Sequence, residues 1–163
     1  MHIMLTRPLD DIKELIIKFQ SLGHNVSHLP VIKINKVKLN KIDYSLYSGM
    51  IFTSANAVKY LETNKINKSI YCFCVGSITE KCALRKGFQN VYSADGNVEN
   101  LKEIIIQNFN KESGKLLYIS GDIISSNLHK QLINEDYQIE RVINYNVDHV
   151  QNFDKKFIDR LKK

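Results

Sequence analysis

Four times in this chain a short strand-like segment ends at a glycine, an asparagine or a small hydroxyl residue and passes at once into a helical pattern. The clearest case is Gly49 to Leu61, where Met50-Ile-Phe52 stops at Thr53-Ser54 and a helix begins at Ala55. Strands that are apolar throughout, with a helix start at their carboxyl ends, are covered on both faces and belong to parallel sheets. Repetition of this unit predicts α/β architecture: a doubly wound, mostly parallel sheet with right-handed crossovers.

The remaining segments fit that scheme. His2 to Leu5 reads as a first strand ending in Thr6-Arg7-Pro8, with Asp10 or Asp11 expected to cap the next helix. Ile12, Leu15, Ile16 and Phe19 recur at helical spacing and predict its core-facing stripe, which Gly23 ends. Val26 to Leu29 and Val31 to Ile34 are extended. Leu39 to Leu46 is a short helix or turn, and Ser69 to Val75 is a strand that opens a helix at Gly76 to Thr79. Asn90 to Ser93 leads through Gly96-Asn97 into a helix with Leu101, Ile104, Ile105 and Phe109 on its inner side. Lys115 to Ile119 ends in Ser120-Gly121-Asp122, and Ser125 or Ser126 is expected to cap a helix carrying Leu128, Leu132 and Ile133. Tyr137 to Val147 is extended, and Phe153 to Leu161 reads as a last amphipathic helix.

In doubly wound sheets ligands bind beyond the carboxyl ends of the strands. Here those ends carry Thr53-Ser54, Ser77 to Thr79, Gly96-Asn97 and Ser120-Gly121, residues that let backbone N–H groups approach a ligand closely. Taken by themselves, Thr53 and Ser54 serve either as ordinary N-cap residues or as part of an anion-binding rim.

Composition narrows the chemistry. The 163 residues are 44% apolar and 25% charged, and no apolar run reaches the roughly 18 residues of a membrane span. A net charge of +6 permits an anionic partner, but the basic residues are scattered, without the dense, aromatic-interleaved patch of a nucleic-acid surface. Cys72 and Cys74 share one strand face and Cys82 is separate, so a disulfide framework is not expected; buried thiols in a reducing cytoplasm fit. No dinucleotide or phosphate-loop glycine motif, nucleophile elbow or histidine metal pair occurs. A rim lacking an evident acid, base or nucleophile points to catalysis by orienting a reactive substrate, or to simple ligand binding.

Several of these motifs occur together in an order that is similar to a known family. Thr6-Arg7-Pro8, Phe52 to Val58, Val75-Gly76 followed by Thr79, Gly87-Phe88, and Tyr145 in a long strand together resemble uroporphyrinogen-III synthase, an enzyme of tetrapyrrole (haem) biosynthesis. The resemblance runs over the whole chain but stops short of the family's carboxyl-terminal part. It implies two flavodoxin- or Rossmann-like lobes of the HemD type. Residues 1–34 and 146–163 would be an incomplete first lobe and 35–145 a complete second one, with linker strands near 31–34 and 141–145. It implies ring closure of linear hydroxymethylbilane, with inversion of ring D and loss of water, without metal or cofactor.

In site terms the resemblance implies that Tyr145 assists departure of the substrate hydroxyl. Thr53, Ser54, Thr79, Ser120, Gly121 and Arg7 would meet the anionic linear tetrapyrrole. No nucleic-acid or membrane partner is expected and the location would be cytoplasmic. The incomplete lobe would be finished by sequence beyond Lys163, or by a homodimer or domain swap. A catalytically silent α/β module that binds an anionic ligand or a partner subunit is the alternative from another class.

Overall fold

The computed structural model describes residues 1–151, so the helix expected over 153–161 lies outside the described residues. The chain divides into two compact units: Met1–Asn35 with the chain from Val147 onward, and Lys36–Asn146.

In the first unit β1 (His2–Leu5) runs parallel to β2 (Asn25–His28), joined by α1 (Leu9–Ser21). Asp10 and Asp11 do not cap α1, contrary to expectation. Pro8 takes the N-cap position because its fixed φ of −52° starts the helix, and its carbonyl accepts the Asp11 N–H at 3.0 Å. The two carboxylates fall in the first turn instead, where they complement the helix dipole. Of the expected stripe Ile12 is 3% exposed, whereas Leu15 stands 39% exposed.

The second unit holds β4 (Tyr47–Phe52), α2 (Ala55–Tyr60), β5 (Tyr71–Val75), α3 (Ser77–Arg85), β6 (Asn90–Ala94), α4 (Val98–Asn108), β7 (Lys115–Gly121), α5 (Leu128–Asn134) and most of β8 (Ile139–His149). With β3 (Ile32–Lys36), the sheet order is β3-β8-β7-β4-β5-β6. The pairs β8–β7, β7–β4, β4–β5 and β5–β6 are all parallel, which establishes the doubly wound expectation. At the edge, Val150 donates to the Val31 carbonyl and Val37 to the Asn144 carbonyl, so β3 and β8 run antiparallel.

Alternation along these strands fills two layers. Ile51, Phe73, Leu116 and Tyr118 meet Leu101, Ile105, Leu128 and Leu132 from α4 and α5. Met50, Phe52, Cys72, Cys74 and Ile119 point to the opposite face, where α2 and α3 pack and Phe52 lies 6.1 Å from Phe88. Both faces are buried, which explains the uninterrupted apolar strands. Cys72 and Cys74 are buried free thiols with sulfurs 4.0 Å apart; that contact and burial push the Cys72 pKa up, keeping it protonated. One helix start differs from expectation. Asn127, not Ser125 or Ser126, precedes α5, and its carbonyl rather than a side chain engages the helix, accepting from Gln131 N–H.

Candidate functional site

The order of the sheet reverses between β4 and β7, since the chain builds outward through β5 and β6 before returning to the other side. Crossovers leave that point in opposite directions and open a crevice between the carboxyl ends of the two strands. Thr53 follows β4 there, and Ser120-Gly121 ends β7. The two ends are tied together: the Thr53 Oγ1 and Tyr118 hydroxyl oxygens are 2.9 Å apart and share a hydrogen bond. Tyr118 is 1% exposed. Burial pushes its phenol pKa up, partly offset by the Thr53 bond and the positive charge of Arg141, so the hydroxyl stays protonated and able to donate.

The end of β7 is gripped by β8. Register slips from Ser120↔Ile143 to Gly121↔Tyr145, leaving Asn144 as an extra residue on β8. Such a bulge re-aims side chains. Here it lays the Tyr145 ring directly on Gly121: a Cβ at that glycine would stand 2.6 Å from the ring carbons Cε2 and Cζ and 2.9 Å from the hydroxyl. Tyr145 is 7% exposed, and its ring centroid lies 6.4 Å from that of Tyr60 on α2. Asp122 N–H donates to the Tyr145 carbonyl at 3.1 Å.

Asn144 also reaches α2. Its Nδ2 donates at 2.7 Å to the Ala57 carbonyl, an acceptor that the short helix α2 does not use, because Leu61 N–H goes to Val58 instead. Ser120 is 1% exposed; its hydroxyl donates to the Gly121 carbonyl at 2.9 Å and accepts from Arg141 Nε at 2.8 Å. Arg141 Nη2 donates to the Gly121 and Asp122 carbonyls at 2.7 and 3.2 Å.

The sequence-derived candidates are therefore placed unequally. Thr53 follows the end of β4, Ser120 and Gly121 end β7, and Tyr145 lies within the neighbouring strand β8, opposite Gly121. Ser54 caps α2, its Oγ accepting Asn56 N–H at 3.2 Å. Thr79 lies in the first turn of α3 and is 4% exposed. The start of α3 depends on Gly76, whose φ of +78° suits glycine alone among common residues. Arg7 belongs to the first unit; it is exposed, and its carbonyl is 2.8 Å from His28 Nε2.

Two participants escaped the sequence reading. Tyr118 was hidden in an apolar strand, and Arg141 appeared only as the start of a linker segment. The available signal was a hydroxyl two residues before Ser120, and a charge whose same-face neighbours on β8 are Ile139 and Ile143. Among the described residues no group of three His, Cys, Asp or Glu side chains could hold a metal ion, and no helix is long and apolar enough to cross a membrane.

Comparison with known proteins gives this geometry a context. No curated protein sequence matches the chain significantly. Among solved structures, it resembles uroporphyrinogen-III synthetase from Helicobacter pylori, with 20% identity and a TM-score of 0.61 over 83% of this chain and 62% of that one. It also resembles a mutant uroporphyrinogen III synthase from the extremely thermophilic bacterium Thermus thermophilus, with 12% identity and a TM-score of 0.57 over 91% of this chain and 63% of that one. At these identities the likeness is one of fold, and the chain spans less than two thirds of either structure's length. The family model for uroporphyrinogen-III synthase HemD matches residues 13–163. With that match extending over nearly all of its length, the chain belongs to the uroporphyrinogen-III synthase family.

Proposed function

We propose that this protein closes linear hydroxymethylbilane to uroporphyrinogen III, inverting ring D and releasing water. The observation that carries the reading is the family match over residues 13–163, and the strand ends at the sheet's reversal point agree with it. The substrate bears carboxylate arms on each ring, which suits backbone N–H groups at the strand ends and a chain of net charge +6. It also supplies its own electrophile: loss of the hydroxyl leaves an azafulvene. The protein's work is then to help the hydroxyl depart and to hold the chain so that the inverted ring closes.

Tyr145 donates a hydrogen bond to the departing hydroxyl. Thr53, Ser54 and the Ser120-Gly121 turn meet carboxylate arms, and Arg7 takes one through its guanidinium. Thr79, being buried, contributes through the first turn of α3 rather than by its hydroxyl. No metal or cofactor takes part, and the reaction runs in the cytoplasm.

The test is to supply hydroxymethylbilane and resolve the porphyrin isomers after oxidation. Isomer III is expected from the wild-type chain, and Tyr145→Phe is expected to lower its rate by about 100-fold or more. Isomer I alone, the spontaneous product, would contradict the reading.

We also infer that a second copy of the chain completes the first unit, by dimerisation or by swapping. Among the described residues its sheet has only β1 and β2, and a sheet of two strands is marginal by itself. Met4 is 44% and Ile17 66% exposed. Light scattering is expected to give a dimer. A monomer whose first thirty or so residues resist hydrogen exchange would sink this proposal.

A further inference from the structure

Arg141 is half-buried on β8, between the same-face neighbours Ile139 and Ile143. A guanidinium there must find acceptors, because its planar fork of donors cannot be neutralised by losing a proton. It finds three, and they belong to consecutive residues: Ser120 Oγ at 2.8 Å, the Gly121 carbonyl at 2.7 Å and the Asp122 carbonyl at 3.2 Å. One planar group therefore fixes the directions of the whole turn that ends β7. The Gly121 carbonyl is held a second time by the Ser120 hydroxyl.

Four residues further along the same strand, Tyr145 presses its ring against the Cα of Gly121. Two side chains of β8 thus grip one turn of β7, Arg141 by its carbonyls and Tyr145 by its glycine. The bulge at Asn144 brings the second grip into place. A change in the turn would displace the tyrosine ring, which packs against Gly121 and is 7% exposed.

We propose that Arg141 is a positioning residue: through Ser120 and the carbonyls of Gly121 and Asp122 it holds the β7 turn against Tyr145, and so determines which ring closure is made. The proposal rests on the functional reading above. Loosening the turn removes the bias against the closure that the free substrate already prefers, so the expected sign of failure is leakage to isomer I together with slower turnover.

The test compares the full wild-type chain with Arg141→Lys and Arg141→Ala. Lysine keeps the charge but lacks the fork, since a single ammonium cannot lie in plane with all three acceptors. Arg141→Lys is expected to lower kcat by about 10- to 100-fold with little change in KM or melting temperature, and to raise the share of isomer I. Millimolar guanidinium is expected to restore part of the lost rate to Arg141→Ala, and ammonium at the same concentration to restore none.

Wild-type kcat and isomer ratio in Arg141→Lys would overturn the proposal. So would losses that merely follow the unfolded fraction of each variant. Backbone amide NMR separates this idea from the reading it rests on. If the wild-type chain yields only isomer I, the amides of Gly121 and Asp122 still decide the clamp. A selective shift in Arg141→Lys supports it, and an unchanged pair refutes it.

Discussion

Gly121→Ala is expected to lower the rate of the proposed ring closure by about 100-fold and to destabilise the fold by about 1–3 kcal/mol. Both effects follow from one close approach. The new methyl would stand 2.6 Å from two carbons of the Tyr145 ring, nearer than side-chain atoms come in practice. Relief by rotating the ring is poor, because Tyr145 is 7% exposed and lies beside Tyr60. Relief by moving the turn strains the bonds from Arg141 and Ser120 to the Gly121 carbonyl. Either way the Tyr145 hydroxyl leaves its place relative to the strand ends. The isomer assay measures the first effect and urea titration the second. Wild-type values in both would mean that the ring and the turn are not coupled.

Phe73→Ala is expected to cost more stability, about 3–5 kcal/mol, and to lower Tm by roughly 10–15 °C. Phe73 is fully buried on the α4 and α5 face of β5. Its ring stacks on Tyr92 with centroids 5.5 Å apart and meets the edge of Phe109 at 6.1 Å. Truncation opens a hole in the middle of this aromatic cluster, and the flanking strands β4 and β6 hold the backbone in place, so collapse is limited. Ile78→Ala, at a side chain 65% exposed, is the matched control and is expected to stay within about 0.5 kcal/mol of wild type. Calorimetry of the three proteins checks both statements. A loss below about 1 kcal/mol in Phe73→Ala would show that the second unit does not depend on this cluster.

The amino-acid pattern alone determined the architecture. Continuous apolar runs such as Met50 to Phe52 and Leu116 to Ile119, each followed by a helix period, can be satisfied only in a sheet covered on both faces. The turn residues at the strand ends were legible for the same reason, since small and hydroxyl side chains mark where a strand becomes a helix. Helix caps were less legible. Pro8 and Asn127 displaced the expected aspartates and serines, because a fixed backbone or a carbonyl can start a helix as well as a side chain can.

Tertiary structure decided which strand ends meet. Thr53 and Tyr118 are 65 positions apart, and their hydrogen bond exists because β7 pairs with β4 after the chain has passed through β5 and β6. The placing of Tyr145 against Gly121, while Arg141 holds the same turn, goes with a single residue of slippage between β7 and β8. Register is a property of two strands together. Neither strand's own sequence records that Asn144 is the extra residue, that Arg141 reaches three consecutive acceptors, or that Gly121 is glycine because a tyrosine ring occupies the space of its missing methyl.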